Sequence, residues 1–178
     1  MSKREILLQN AEELILEFGY HQTGVNELIQ KTGISKGSLY YYFPKGKEQL
    51  FSLAMSNIIE QELNAVSELC DGKVQKTIRR ISDYYIQQLK AGKRVFVFNF
   101  ISNELKYEKD NVLVSQIVGY QNDWLNVVSD YLKKKKISNP KRKAKQFYML
   151  LLGLIQMNEI DLGNKSEIAF DELLDRLF

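Results

Sequence analysis

Histidine and cysteine each occur once in this 178-residue chain, as His21 and Cys70. A zinc or haem site assembled from such residues needs more ligands than that, so no metal or cofactor is expected. Nucleophile–base chemistry usually relies on histidine. His21 falls between two helical segments and reads as a loop residue, so no catalytic residue is assigned. A lone cysteine closes no internal disulfide, which fits a reducing cytoplasm. Proline occurs twice and glycine ten times, too few for low-complexity sequence or long flexible linkers. The longest apolar run, Phe147 to Ile155, is about half of the ~20 residues that span a bilayer. The start, MSKREILLQNAEE, has no apolar core and no cleavage site, so neither a membrane span nor a signal peptide is expected. Charge of one sign is scarce too. The net charge is +3, and residues 1–51 balance six Lys/Arg against six Glu. Any nucleic-acid reading must therefore rest on where charges sit.

What the chain does have is helical periodicity throughout, with no alternating strand of useful length and no internal repeat. Ser2 and Glu5 make a capping box. Leu7, Ala11, Leu14, Ile15 and Phe18 then recur on one helical face until Gly19. Thr23 is expected to cap a short second helix that stops at Gly33. Ser35 is expected to cap a third, from Lys36 to about Phe43, which Pro44 and Gly46 break. Longer helices are predicted over about Lys47–Cys70, Lys73–Lys90, Arg94–Lys106, Asn111–Lys135 and Pro140–Ile160, with a tail helix near Glu167–Leu177. Asn139-Pro140 is a strong helix start. The fold class is all-α.

The stretch GISKGSLYYYFPKGKEQLF, Gly33 to Phe51, sets three tyrosines among lysines. At about 100° per residue, Leu39 and Phe43 point one way and Tyr41 points the other. Tyr40 and Tyr42 flank the apolar direction, and Gly37 and Ser38 flank Tyr41. Such a helix has two buried anchors and an outward face of Gly, Ser and Tyr. Packing against the neighbouring helices would account for the tyrosines alone. With Lys36, Lys45 and Lys47 included, the face suits a phosphate backbone: hydroxyls donate to phosphate oxygens, and small residues let the helix N-terminus approach. Short helix, turn with Gly33, short helix is a helix-turn-helix.

These residues resemble the N-terminal domain of TetR-family transcriptional regulators. The resemblance covers about residues 4–51 and is carried by Ile6, Ala11, Phe18, Gly19, Tyr20, Thr23, Val25, Leu28, Gly33, Ile34, Ser35, Lys36, Gly37, Ser38, Leu39, Tyr40, Phe43, Lys47, Glu48 and Leu50. It implies an all-helical homodimer: a three-helix DNA-binding domain, residues 1–50, then a larger helical effector-binding and dimerisation domain, residues 51–178. By resemblance Thr23, Tyr41, Tyr42 and Lys47 contact phosphates, while Lys36, Gly37, Ser38 and Tyr40 lie in or beside the major groove. Ser35 belongs to the same DNA-binding set. Tyr42 stands where many relatives have histidine, Ile29 replaces a usual alanine, and FPKGKE carries one residue more than the common F-x-x-KE.

Beyond residue 51 no motif stands out. The segment Arg94–Lys106 is apolar nearly all round, with Asn99 the polar exception, as expected of a buried helix. The aromatic residues around it describe either a plain core or a small-molecule pocket. The candidate pocket residues are Tyr84, Phe96, Asn99, Phe100, Tyr120, Trp124 and Phe147. The resemblance also implies a dimeric four-helix bundle from the last two long helices, with Val127, Val128, Tyr131, Leu151, Leu154 and Ile155 as its face. KKKKISNPKRKAK, Lys133 to Lys145, holds eight basic residues and no acidic one, and reads as a solvated turn. The expected function is a ligand-responsive transcriptional regulator, in the family's usual case a repressor released from its operator by a small molecule. The alternative is a helical small-molecule carrier without DNA function, which would leave the Ser35–Lys47 chemistry idle.

Overall fold

The computed structural model describes residues 1–19, 23–91, 112–159 and 163–178. Among the described residues the chain forms helices and no strand. They are α1 (Lys3–Phe18), α2 (Val25–Thr32), α3 (Lys36–Tyr42), α4 (Lys47–Leu69), α5 (Val74–Lys90), α6 (Val112–Lys134), α7 (Pro140–Glu159) and α8 (Gly163–Leu177). The helix predicted over Arg94–Lys106 lies outside the described residues, as do Phe96, Asn99, Phe100 and His21.

Local chemistry sets the ends. Ser2 and Glu5 exchange the reciprocal capping bonds anticipated for α1, at 3.2 and 2.8 Å. Ser35 caps α3, accepting from the Ser38 N–H at 3.2 Å. The start of α2 differs from expectation. Gly24, not Thr23, is its N-cap, and the Glu27 carboxylate accepts the Gly24 N–H at 2.9 Å. Gly33 closes α2 in the left-handed conformation, φ 67°, its N–H bonded to the Ile29 carbonyl. That positive φ turns the chain into α3 without a steric penalty.

α1, α2 and α3 surround Leu7, Ala11, Ile15, Leu28, Leu39 and Phe43, all fully buried. α4 closes this cluster with Leu50, Phe51 and Ala54 and continues into the body, so one helix serves both parts. α6 runs alongside α4 in the same direction. Gln116 meets Ser52, Tyr120 meets Glu62, and the Tyr131 hydroxyl reaches the Gly72 carbonyl. α7 packs on α5 and α6, and α8 packs on α7. Arg79 on α5 ties α8 down through ion pairs to Asp171 and Asp175. No helix among the described residues is long and apolar enough to cross a membrane.

Candidate nucleic-acid interface and effector region

α3 divides as its periodicity predicts. Leu39 and Phe43 are fully buried, whereas Tyr41 is 79% exposed on the opposite side. Lys36 and Gly37 are exposed beside it, and Ser38 and Tyr42 are half-buried. The Tyr41 and Tyr42 rings meet edge to face at 5.1 Å, which props Tyr41 outward. Tyr40 is exposed, but its ring leans on Gly46. A Cβ at Gly46 would stand 2.9 Å from that ring, and Gly46 itself has φ 62°. The extra residue in FPKGKE thus forms a turn, with the Gly46 N–H bonded to the Phe43 carbonyl at 2.7 Å. This turn starts α4 at Lys47, whose ammonium sits 5.3 Å from the Phe51 ring centroid.

Thr23 departs from its expected role. Its side chain is fully buried, and its hydroxyl donates to the Gly19 carbonyl at 2.7 Å, with the Leu14 carbonyl at 3.2 Å. A hydroxyl has one proton, and here it closes the end of α1. In the chain without DNA the Thr23 side chain is thus a structural cap on α1. A surface threonine and a buried one cannot be told apart by the T-G-V string alone.

The sequence reading missed the polar centre of the body. Glu62 on α4 is buried, and the Tyr120 hydroxyl donates to its Oε1 at 2.5 Å. The Tyr85 and Tyr120 hydroxyls lie 3.2 Å apart, and Trp124 Nε1 donates to the Tyr85 hydroxyl at 2.9 Å. Burial pushes the Glu62 carboxyl above its usual range, against the opposing pull of the Tyr120 and Tyr85 hydrogen bonds. Burial, then the charge of Glu62, holds both tyrosines well above the ordinary phenol value. The only sequence signal was one glutamate on the apolar face of α4. Of the candidate pocket residues, Tyr120 and Trp124 join this centre. Phe147 packs on Trp124 at 5.7 Å, and half-buried Tyr84 stacks edge-on against Tyr85 at 5.2 Å.

The expected dimer face needs correction. Val128, Tyr131, Leu151, Leu154 and Ile155 are buried in the core of their own chain, and Val127 is half-buried. All but Val127 fill the space between α6, α7 and their neighbours and leave almost no surface for a second copy. The outward side of these helices instead carries Val118, Met149 and Met157, at 50%, 61% and 39% exposure, with Gly153 among them. The face that the resemblance implied is taken up by packing within the chain.

The Lys133–Lys136 run ends α6 and is exposed. Because α6 follows α4, it stands near Gly72, about 34 Å from Lys47 at ~1.5 Å of rise per residue along α4. It is no part of the tyrosine face. Cys70, near that same end, is half-buried, and burial raises its thiol to about 11, which keeps it protonated and unreactive.

A helix-turn-helix head with one polar aromatic face, set on a helical body, defines a class of DNA-binding regulators. Residues 7–54 match the model described as bacterial regulatory proteins, tetR family. The HTH-type transcriptional regulator LmrA of Bacillus subtilis is 44% identical over 70 residues, which cover 38% of this chain. The chain spans 37% of the length of that curated relative. A TetR transcriptional regulator from Legionella pneumophila has the same fold, with a TM-score of 0.80 at 18% identity, over 99% of this chain and 97% of that one. FadR of Bacillus subtilis, solved in complex with stearoyl-CoA, matches with a TM-score of 0.70 at 19% identity, over 98% of this chain and 97% of that one. Residues 7–54 are thus similar to the DNA-binding domain of tetR-family regulators, and head and fold together support a TetR-family regulator.

Proposed function

We propose that the protein is a ligand-responsive DNA-binding transcriptional regulator, acting in the cytoplasm as a repressor that a small-molecule effector releases from its operator. Residues 1–50 form the DNA-binding unit, and residues 51–178 form the effector-binding and dimerisation unit. The observation that carries the reading is Tyr41: a large aromatic side chain 79% exposed, directly opposite two fully buried anchors. Exposing such a ring to water brings no stability, and it suits contact with sugar and phosphate. Ser35, Lys36, Gly37, Ser38, Tyr40, Tyr42 and Lys47 complete the DNA-facing set.

One such helix reads few base pairs, so two copies are needed to address half-sites about 34–36 Å apart. The exposed stripe Met149, Gly153 and Met157, four residues apart along α7, supports a homodimer, since a Cβ at Gly153 would meet nothing in its own chain within 4 Å. Effector binding acts by favouring one of two head separations. No catalytic role is assigned, and the relatives carry the names of regulators. The test is fluorescence anisotropy of the purified protein with DNA from its own upstream region, at two salt concentrations. Tight, sequence-selective and salt-dependent binding supports the regulator. Equal indifference to every fragment at low salt leaves the carrier reading in its place.

A further inference from the structure

The turn from α6 into α7 carries more positive charge than its helices ask for. Lys133 and Lys134 in the last turn of α6 suit the negative end of that helix. Lys141, Arg142 and Lys143 open α7, where the dipole favours acids and no acidic residue stands. Between them Lys136 holds φ 58°, a conformation that glycine adopts without steric cost. Helix stability thus accounts for Lys133 and Lys134 and works against Lys136 and the start of α7.

Backbone bonds hold the turn in place. The Lys136 N–H donates to the Lys133 carbonyl at 2.9 Å, and the Ile137 N–H to the Leu132 carbonyl at 3.0 Å. Because α6 and α7 pack on each other, Lys133–Lys136 and Lys141–Lys145 share one end of the body. Seven of the eight basic residues are exposed, and the half-buried Lys143 sets its ammonium 5.6 Å from the Phe178 ring centroid. The adjoining turn after α4 adds exposed Lys73 and the Asp71 carboxylate, which accepts the Gly72 N–H at 2.7 Å. Along the sequence no acidic residue occurs from Tyr131 to Asn158.

The chemistry of this pole is charge without anything else. Its apolar residues are Ile137 and Pro140, both half-buried, and Ala144, which is buried. No ring stands between Lys133 and Lys145 to stack on an unpaired base, and no exposed apolar side chain to enter a lipid interface. Seven of the eight cations are lysines, point charges without the planar fork that reads guanine. Such a surface neutralises phosphates and ignores sequence. Duplex DNA, with one charge per ~1.7 Å of axis, is the dense polyanion that it complements.

We propose that this pole is a second, sequence-blind surface for duplex DNA, an inference that rests on the regulator reading above for its choice of polyanion. The pole stands about 34 Å along α4 from Lys47, so a straight duplex seated on the tyrosine face does not reach it. It meets another duplex, or a distant part of the same one. Head and pole together then bridge two segments of DNA.

The experiment uses the full chain and a labelled duplex of scrambled sequence, read by anisotropy over a salt series. One variant combines Lys133→Gln, Lys134→Gln, Lys136→Gln and Lys141→Gln. A second combines Lys133→Arg, Lys134→Arg, Lys136→Arg and Lys141→Arg. All four side chains are exposed, so both variants should unfold at the temperature of wild type. At ~50 mM salt wild type should bind the scrambled duplex, and the Gln variant at least tenfold more weakly, with a slope of log K against log salt shallower by about three. The Arg variant should bind as wild type does. Without any substitution, the scrambled duplex should shield the lysines of this pole from acetylation. Wild type that ignores the scrambled duplex, a Gln variant that binds it equally, an Arg variant that fails with the Gln one, or lysines left unshielded each overturns the proposal. So does tighter binding, at the same salt, to polyglutamate or to phosphatidylcholine vesicles with a quarter phosphatidylserine. DNA from the protein's own upstream region separates the two readings. If wild type prefers it and the Gln variant binds the scrambled duplex unchanged, only the pole fails. If the Gln variant loses the scrambled duplex and wild type prefers neither DNA, the regulator reading fails alone.

Discussion

The Asn57 amide donates to the Glu12 carboxylate at 2.7 Å, joining the middle of α4 to the middle of α1. It is a half-buried, side-chain-to-side-chain bond across 45 residues of sequence. Together with the packing of α1 on α4, it makes the head follow the body. Asn57→Ala should cost about 1 kcal/mol of stability, the ordinary worth of such a bond. Thermal unfolding checks this, and DNA titration with effector should show a smaller shift in affinity than wild type.

Tyr41→Ala removes a ring that water already surrounds, so the unfolding midpoint should stay within a degree or two of wild type. DNA affinity should fall for all sequences alike. Lys47→Ala should do the same and lower the slope of log K against log salt by about one. Anisotropy over a salt series separates the two effects. A loss confined to one sequence would move either residue from phosphate contact to base reading.

Thr23→Val keeps the shape of a buried side chain and deletes the hydroxyl that bonds the Gly19 carbonyl. We expect about 1–2 kcal/mol less stability by urea titration, because a half-buried acceptor loses its donor. The salt slope of DNA binding should not change. A reduced slope would restore the phosphate role to this side chain.

Gly46→Ala places a Cβ 2.9 Å from the Tyr40 ring at a residue with φ 62°. Both terms are unfavourable, and the expected loss is about 1–3 kcal/mol. Tyr40 must also move, so sequence selectivity should change more than overall affinity. A panel of operator variants tests that.

Burial of Glu62 makes the stability of the fold depend on pH. Its folded value lies above the ordinary 4.5. Below 4.5 the proton is held in folded and unfolded chains alike, and the stability linked to it is fully present. As pH rises through the folded value that stability is lost, because the unfolded chain gives up its proton first. Glu62→Gln should abolish this decline. Urea midpoints of the two proteins between pH 4.5 and 8 should diverge, with the variant the more stable at the upper end.

The head was legible because its signals are local. Ser2 with Glu5, Ser35, Gly33 and the Leu39/Phe43 spacing each act within a turn or two of helix, and each is found where the pattern placed it. Thr23 was misread because its partner, Gly19, belongs to the helix before it, while the pattern was scored for the helix after it. The body was less legible for a similar reason. Which face of α6 or α7 lies inside depends on α4 and α5, and two apolar stripes on one helix look alike until those neighbours are placed. Val128 and Leu151 went to the inside, and Val118 and Met149 were left out. Glu62 was invisible because nothing in its own helix hints at phenols arriving from α5 and α6.

The shared direction of α4 and α6 also fixes an electrical asymmetry. The tyrosine end of the chain is neutral in sum, while eight basic residues crowd the pole beyond Gly72. With screening over about 8–10 Å, the two ends act as separate bodies in a salt solution. The basic pole can therefore draw an anion only within that distance, and the neutral tyrosine end holds one by contact alone. Docking at the head must therefore rest on fit at short distance and owe little to net charge.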